Sequence, residues 1–283
     1  MLWQRALTAA VGIPVALLLI YLGGWYLAAL VTALSLLGLR EYYRLAAALG
    51  SRVRPLIGYL VALPITLTPA PYTLPPMLLL VCVWAAGELA LMLRYVVRTK
   101  RLVGIENIGW RNATLLGLLY VAFLFGHVNL LRAFPGDDVS LPGLGPGIPF
   151  GAGLVALVVI ACWATDTAAY FVGKAIGRHK LSPKISPGKT VEGAAAGLVA
   201  AVLTAASMGR WLGLPLVQGV LLGAILGVAG QLGDLFESSL KRRAGVKDSG
   251  ALLPGHGGVL DRLDSLLFSA PAAYYYLCYV LGR

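Results

Sequence analysis

Charge and glycine are concentrated in one stretch of this apolar chain, KRRAGVKDSGALLPGHGGVLDRLDS, which runs from Lys241 to Ser265. Eight of its residues are charged and five are glycine. Glycine lets a backbone come close to a ligand, and successive N–H groups in glycine turns form concave sites for anions. Asp261 and Asp264 are three residues apart, so a helix would place them on one face. Such carboxylates beside Lys and Arg suit Mg²⁺ shared with phosphate oxygens.

A second acidic group comes directly before, in the segment GQLGDLFESSLKRR at 230–243. Asp234 and Glu237 lie three positions apart, and Ser238 lies one helical turn beyond Asp234, so all three share a helix face. These acids could hold a metal ion. A proton relay in a transporter would use them equally well, so the spacing leaves both chemistries open.

A charged side chain also interrupts the apolar segment WATDTAAYFVGK at 163–174. Asp166 lies well inside this segment, and Tyr170 follows one turn later on the same helix face. Because a charge at membrane depth is energetically costly, Asp166 is a candidate functional residue. A buried Asp that a neighbouring helix satisfies is the structural alternative.

Four Lys or Arg residues lie in the segment GRHKLSPKISPGKTVEG at 177–193, which leads to Glu192 at a predicted helix start. We interpret it as a basic loop that guides phosphates toward a helix N-terminus, where free N–H groups favour anions. Its PGKT sequence does not make a P-loop, because Pro183 stands where that pattern needs glycine and no strand is predicted before it.

Taken together, these groups meet the needs of phosphoryl or nucleotidyl transfer: Asp for a metal, Lys and Arg for phosphate charge, and a glycine turn for close approach. No nucleophile–base pair such as Ser-His-Asp is evident. An attacking phosphate needs none, because a phosphomonoester already carries about −1.5 to −2 charge at pH 7. Repulsion between anions is then the main barrier, and cations lower it.

The elements that must position these groups are predicted transmembrane helices. The chain of 283 residues is 59% hydrophobic and 12% charged, with a mean hydropathy of +0.81, whereas soluble domains have about 25% charged residues. Runs long enough to cross a bilayer, about 17 to 25 residues, lie near 6–22, 24–40, 55–71, 75–93, 112–132, 150–173, 191–210, 214–236 and 264–281. The predicted fold class is therefore all-α, a polytopic integral membrane protein with about nine transmembrane helices.

Lys and Arg are distributed unevenly over the connections of this arrangement. Assigned to alternate loops, 20 of the 23 fall on one side of the membrane. The positive-inside rule then predicts a cytoplasmic N-terminus and an external C-terminus. The net charge of +11 thus reflects topology and an affinity for anionic lipid and phosphate, and we expect no nucleic-acid partner.

Polar chemistry is largely confined to the second half of the chain. Residues 1–150 hold apolar segments with almost no ionisable groups apart from Glu88, and we predict a scaffold, lipid-contact or subunit-interface region. Residues 151–283 alternate acids with basic loops and form the predicted catalytic region. The Pro/Gly-rich stretch at 134–150 is predicted to be an extracytoplasmic loop.

The stretch SSLKRRAGVKDSGALLPGHGGVLDRLD at 238–264 resembles the C-terminal hallmark of phosphatidate cytidylyltransferases (CDP-diacylglycerol synthases). That pattern is Ser-x-hydrophobic-Lys-Arg, four residues, Lys-Asp, a Pro-Gly-His-Gly-Gly turn and Asp-Arg-x-Asp. SPGKT at 186–190, GDLFES at 233–238 and TDTAAY at 165–170 are also similar to the family. The resemblance is specific over about residues 160–268 and generic before them.

The resemblance implies that CTP and phosphatidic acid give CDP-diacylglycerol and pyrophosphate, with Mg²⁺ as cofactor, in a homodimer. It assigns the metal to Asp234 and Asp261, with Glu237 and Asp264 as supporting acids. The catalytic candidates are Asp234, Asp261, Lys247, Asp248 and His256. The candidates for substrate binding are Asp166, Lys184, Ser186, Lys189, Thr190, Ser238, Lys241, Arg242 and Arg262.

This reaction sets a physical requirement on the site. Phosphatidate stays in the bilayer with its head group at the interface, and CTP arrives from the cytosol. We therefore expect a multi-pass protein of the inner (plasma) membrane, with a cavity open both to the cytoplasm and sideways to membrane lipid.

Two other functions remain in competition. A CTP-dependent polyprenol or lipid kinase would use similar residues but would release CDP instead of pyrophosphate. A secondary transporter would explain Asp166 and Asp234 as an ion relay, but not the Lys-Asp pair or the Gly-His-Gly-Gly turn. CDP-alcohol phosphotransferases are disfavoured, because their Asp-Gly-x-x-Ala-Arg motif is absent from the sequence.

Overall fold

The computed structural model describes residues 2–51, 53–67, 113–139, 147–250 and 257–282 as a helical bundle with one small β-hairpin. The first helices are α1 (Leu2–Leu22), α2 (Gly24–Ala48), α3 (Pro55–Leu67) and α4 (Ala113–Arg132), the last with a π-helical segment at Leu118–Phe123. They are followed by α5 (Phe150–Ile176), β1 (Lys180–Ser182), β2 (Ser186–Thr190), α6 (Val191–Trp211), α7 (Leu216–Arg243) and α8 (Leu260–Leu281).

The helices coincide with the predicted apolar segments, apart from the one at 75–93, which lies outside the described residues together with Glu88. Helices α4 to α7 are long and apolar enough to cross a membrane, so the chain is a helical membrane protein as predicted. Helices α2 and α7 run on to Ala48 and Arg243, beyond the predicted ends at 40 and 236. Hydropathy misses these last turns because Arg, Glu and Lys are good helix formers that are not apolar.

The bundle has two ends that differ in polarity. The hairpin end comprises β1, β2 and residues 241–250 and 257–260, and Arg242 Nε joins its parts by donating to the carbonyl oxygen of Ile185 at 3.1 Å. At the far end, residues 135–139 and 211–214 surround a cavity of about 420 Å³. Arg132 Nε donates there to the carbonyl oxygen of Ile20 at 2.6 Å, which places the C-terminus of α1 at the far end.

The basic segment at 177–193 is not only a loop, and that part of the prediction is wrong. Strands β1 and β2 pair antiparallel, with Lys180 opposite Thr190 and Ser182 opposite Ser186. Hydropathy does not reveal such strands because their residues are mostly polar. Pro183 stands in the turn between them, where its fixed φ is favourable.

Glycines on α7 set the distances between the helices that carry the acids. A side chain at Gly223 would collide with the backbone of Val202 on α6, and one at Gly233 would collide with the backbone carbonyl of Asp264 on α8. Small residues allow helices in a membrane to approach this closely. Asp234, the residue after Gly233, is thereby brought close to the first turns of α8.

Candidate active site

A cavity of about 540 Å³ lies at the hairpin end, bounded by α5, α6, α7 and the β-hairpin. Its polar lining includes Asp166, Lys174, Lys189 and Asp234, and Tyr170 adds an aromatic ring. The prediction that Asp166 and Tyr170 share a helix face is confirmed, since both line this cavity. The cavity thus combines acids with ammonium groups from separate elements.

Asp234 is paired with Lys189 at the cavity wall. Nζ of Lys189, on β2, lies 2.5 Å from Asp234 Oδ2, and Ser238 Oγ donates to Oδ1 at 3.2 Å. The contact with Ser238 is the one expected from their spacing of one turn. Both partners of the ion pair are about a quarter exposed, at 27% and 26%, so solvent or a ligand can compete for either of them.

Lys241 connects two acids in a more enclosed place. Its Nζ donates to Glu237 Oε2 at 2.7 Å and to Asp261 Oδ1 at 2.6 Å. The side chain of Lys241 is 12% exposed, that of Asp261 9% and that of Glu237 0%. The second oxygen of Glu237, Oε1, is buried without a hydrogen-bond partner in the described structure. An unpartnered buried acceptor of this kind is a position where a water or a cation is stabilised.

Asp261 is held by several donors besides Lys241. Its Oδ2 accepts hydrogen bonds from Ser249 N at 3.0 Å, from Ser249 Oγ at 2.9 Å and from Gly258 N at 2.9 Å. Asp261 lies in the first turn of α8, where backbone N–H groups lack partners within the helix. Donors at both oxygens stabilise the ionised carboxylate and fix its orientation.

The carboxylates of Asp166, Asp234 and Asp264 repel one another, because they lie close enough for direct electrostatic interaction. Lys189 and Arg262 offset this repulsion at Asp166. Asp264 Oδ1 also accepts a hydrogen bond from Ser265 N at 2.6 Å. Three acids in one neighbourhood favour an additional cation there.

The other predicted residues are distributed around this core. Thr190 caps α6, with its hydroxyl oxygen accepting from Gly193 N at 3.1 Å, and Ser186 lines the cavity. Lys184, Lys247 and Asp248 are exposed, and no hydrogen bond or ion pair joins them to the carboxylates of the described residues. His256 lies outside the described residues.

The glycine turn holds anions that belong to the protein itself. Its composition predicts a site for anions, and the described N–H groups of residues 258–260 donate to carboxylates. Gly258 N donates to Asp261, while Val259 N and Leu260 N donate to Glu41 at 3.0 and 2.8 Å. One of these carboxylates, Asp261, lies three residues after Gly258, and the other, Glu41, comes from α2; phosphate contact at the turn stays a prediction.

Glu41, like Lys174 and Ser249, belongs to this site but is not among the residues predicted from the sequence. It follows Arg40 immediately after the apolar segment predicted at 24–40, a position typical of a solvated charge at the membrane interface. No spacing relates it to the hallmark at 238–264. Only the packing of α2 against the start of α8 brings them together, and the side chain is then 4% exposed.

The donor set of this site fits Mg²⁺. No three Asp, Glu, His or Cys side chains in the described part of the chain form a complete metal cage. Mg²⁺ does not require one, since it usually takes one or two carboxylates and completes its shell with water and substrate phosphates. The hard oxygens of Asp234 and Asp261, and the unpartnered Oε1 of Glu237, match that chemistry.

The chain is similar to known proteins over nearly its whole length. Residues 3–280 match the family model described as the cytidylyltransferase family. A phosphatidate cytidylyltransferase of Synechocystis sp. is 37% identical over 299 residues, which cover 98% of this chain and 97% of that protein. The enzyme of the same name from Bacillus subtilis is 39% identical over 189 residues (66% of this chain, 64% of that protein), and that from Staphylococcus aureus 49% over 120 residues (42% and 45%).

Proposed function

Since the chain belongs to the cytidylyltransferase family and is a nucleotidyltransferase that makes CDP-diacylglycerol from CTP and phosphatidic acid, we propose that the transfer takes place at its hairpin end. One observation carries this placement. The Lys189–Asp234 and Lys241–Asp261 pairs lie at the same end, each offering an ammonium group that a phosphate can engage. No similar arrangement of paired acids and lysines occurs elsewhere among the described residues.

The proposed step is a displacement at phosphorus. A phosphate oxygen of phosphatidate attacks the α-phosphorus of CTP and forms a new P–O bond. The bond from the α-phosphorus to the oxygen that bridges to the β-phosphate breaks, and pyrophosphate leaves with the electron pair. Because the attacking phosphate is already anionic, no side chain has to remove a proton.

The residues of this chain then act mainly on charge. Lys174 and Lys189 lie in the cavity, and Arg262 lies near Asp166, so cations from three elements face the arriving phosphates. Oriented cations that need no rearrangement stabilise the charge that develops as pyrophosphate departs. Lys189 has a second role in this scheme, since it neutralises Asp234 before a ligand arrives.

We further propose Mg²⁺ as the cofactor, with Asp234 and Asp261 as its ligands and Glu237 and Asp264 in support. When bound, the ion would neutralise charge on the phosphate oxygens. The lysine partners are consistent with this role, because each of these carboxylates already contacts a cationic group, Lys189 at Asp234 and Lys241 at Asp261. Phosphate contact is assigned to the remaining predicted residues of the site, Lys184, Ser186, Thr190, Ser238, Arg242 and Lys247.

The direction of the helices supports nine crossings with a cytoplasmic N-terminus. Arg54 N donates to Thr114 Oγ1 at 2.8 Å, and Asn129 Nδ2 donates to the carbonyl oxygen of Thr66 at 2.7 Å. Helices α3 and α4 therefore run parallel, which agrees with the single crossing that the sequence predicts between them at 75–93. The hairpin end carries Lys180, Lys184, Lys189, Lys241, Arg242, Arg243 and Lys247. We therefore place it in the cytoplasm and the protein in the inner membrane.

The same proposal includes two larger-scale features. Residues 1–150 are proposed as a scaffold region and residues 151–283 as the catalytic region, from the distribution of polar residues, and a homodimer is proposed from the family resemblance. Large apolar side chains are exposed on α1 and α2, among them Leu18, Trp25 and Tyr26. Their exposure is consistent with contact to lipid or to a second subunit.

Product analysis tests the proposed function. Purified protein in detergent is incubated with CTP, phosphatidic acid and Mg²⁺, with and without a chelator, and both products are identified. We expect CDP-diacylglycerol and pyrophosphate in equal amounts, no turnover after chelation, and a kcat lowered about a thousandfold in Asp261→Asn. CDP with a phosphorylated lipid would indicate the kinase instead, and solute uptake into proteoliposomes without CTP would indicate a transporter.

A further inference from the structure

Glu41 makes the most distant connection of the site, between the second helix and the last. Its Oε1 accepts from Val259 N at 3.0 Å, and its Oε2 accepts from Leu260 N at 2.8 Å and from Ser249 Oγ at 3.0 Å. The donors are more than 200 residues away in sequence, with separations of 208, 218 and 219 positions. A side chain from the predicted scaffold region therefore holds the start of the hallmark helix.

No cation in the described part of the chain pairs with this buried carboxylate. None of the ion pairs in the described part of the chain includes Glu41. Its donors are the free N–H groups at the start of α8, where the helix dipole also favours a negative charge. Glu41 thus supplies the cap that the residue before α8, Val259, cannot supply from its own side chain.

Ser249 links Glu41 to Asp261. Its hydroxyl lies 3.0 Å from Glu41 Oε2 and 2.9 Å from Asp261 Oδ2, and a hydroxyl has one proton to donate. The two carboxylates therefore share one donor. The three successive N–H groups of residues 258 to 260 are likewise divided between them.

Two glycines make this arrangement possible. A side chain at Gly250 would collide with the carboxylate of Glu41, and one at Gly258 would collide with Ser249 Oγ and Glu41. The turn is therefore shaped around Glu41 as closely as around Asp261. Loss of the Glu41 charge would release Val259 N, Leu260 N and the Ser249 hydroxyl, and with them the turn that presents Gly258 N and Ser249 N to Asp261.

We propose that Glu41 is a positioning residue for Asp261, holding Ser249 and the turn at 257–260 so that Asp261 keeps one oxygen directed toward Lys241. This inference rests on the proposed metal role of Asp261. It extends the active site into α2, and it makes metal affinity depend on a residue that does not contact Lys241, Asp234 or Glu237 in any described hydrogen bond.

Glu41→Gln in the full-length protein is the main test. Glutamine keeps the size of the side chain, but it removes the charge and turns an NH₂ group toward a backbone N–H. We expect the Mg²⁺ concentration for half-maximal CDP-diacylglycerol synthesis to rise about 10- to 100-fold, the usual effect of removing a group that orients a metal ligand. The KM for CTP should stay close to that of the wild type. Titration calorimetry with Mg²⁺ alone, without substrate, should show a matching loss of affinity.

Thr32→Val is the matched control. Thr32 is buried on the same helix, and its hydroxyl donates to the carbonyl oxygen of Ala28 at 2.7 Å, remote from the turn. We expect this variant to lower the thermal unfolding temperature without moving the Mg²⁺ dependence. Glu41→Asp restores the charge on a shorter side chain and should recover part of the Mg²⁺ affinity lost in Glu41→Gln.

Ser249→Ala decides the matter if Glu41→Gln does not fold, because it removes only the shared hydroxyl. A shift of the Mg²⁺ half-saturation in the same direction, but smaller, supports the proposal. Wild-type Mg²⁺ dependence in Ser249→Ala, or in a folded Glu41→Gln, overturns it. Failure of the wild-type protein to release pyrophosphate from CTP and phosphatidic acid would overturn the proposed function instead, so the two failures are distinguishable.

Discussion

The two aspartates proposed as metal ligands are supported in opposite ways. Asp234 stands at the wall of the cavity, where a quarter-exposed Lys189 and Ser238 are its partners. Asp261 is 9% exposed and accepts from Lys241, from Ser249 twice and from Gly258. Each has one ammonium partner, yet only Asp261 is fixed by backbone donors as well.

This difference indicates a division of work between the two carboxylates. A group held by several donors in a protected place keeps its position while ligands come and go, as preorganised sites require. A group paired at an exposed surface exchanges partners readily, because such pairs have little net stability. We therefore expect Asp261 to keep its position in the site and Asp234 to change partner as substrate enters.

The largest expected effect is on kcat and is the same for both aspartates, whereas the effect on stability differs between them. Asp261→Asn and Asp234→Asn should both lower kcat by about a thousandfold, since each removes charge at the reacting phosphates. Asp261→Asn should also lower the free energy of unfolding by about 3 kcal/mol, because hydrogen bonds to a buried charged acceptor are lost. Asp234→Asn should cost less than about 1 kcal/mol, as exposed pairs do.

Steady-state rates and denaturant unfolding in detergent check this contrast. Asn keeps the shape of both side chains, so each variant serves as the control for the other. Equal losses of stability at the two positions would contradict the division between a fixed and an exchangeable carboxylate.

The second prediction replaces the lysine partners of the two aspartates instead of the aspartates themselves. Lys241→Met leaves Glu237 and Asp261 facing each other without their cation, and we expect a loss of about 3 to 5 kcal/mol in the free energy of unfolding. Lys189→Met should change stability by less than about 1 kcal/mol. Its effect should appear in the KM for CTP, raised about 10-fold or more by the loss of a charge-assisted contact.

Thermal unfolding and CTP titrations on the same preparations distinguish the two lysine variants. A Lys241→Met protein as stable as the wild type would mean that Glu237 is neutral in the folded protein. In that case Lys241 would have only one anionic partner.

The sequence identifies Asp234 and Asp261 as site residues, but it does not show how differently the two carboxylates are held. The spacing of Asp234, Glu237 and Ser238 predicts a shared helix face, and the structure confirms the contact between Asp234 and Ser238. Apolar run lengths place the described helices, because burial in lipid demands such runs. Sequence spacing therefore predicts contacts between residues that lie within two turns of the same helix.

Long-range pairing is where the sequence-based interpretation fails. Glu41 resembles an interface charge because nothing in its neighbours records the start of α8, some 219 positions later. Hydropathy does not predict the β-hairpin, because its strands are short and polar. The Glu41 contact depends on how α2 packs against the start of α8, and no local pattern in the sequence records that packing.

A smaller effect tests whether the turn around Asp261 and Glu41 requires a glycine at position 258. Gly188 in the β-hairpin serves as the comparison. Gly258→Ala forces a methyl group into Ser249 and Glu41, and we expect a loss of about 1 to 3 kcal/mol in the free energy of unfolding, typical of overpacking. Gly188, in the PGKT sequence, has nothing within 4 Å of an added Cβ. Gly188→Ala should therefore change stability by less than about 0.5 kcal/mol. Equal stability of both variants, measured by denaturant unfolding, would remove the basis for a turn built around Glu41.

The smallest predicted effect concerns Thr190, which carries two assignments that an experiment can separate. As the cap of α6, its hydroxyl oxygen satisfies Gly193 N, and Thr190→Val should cost about 1 kcal/mol in the free energy of unfolding. Thr190→Ser keeps the oxygen and should retain nearly all of that stability. If capping is its sole role, the KM for CTP stays at the wild-type value in both variants, because the side chain is 5% exposed and its oxygen is already engaged. A raised KM for CTP in Thr190→Val, but not in Thr190→Ser, would show that the hydroxyl also contacts the substrate. The part of the site where contacts change on substrate binding would then include Thr190, at the end of β2, as well as Asp234.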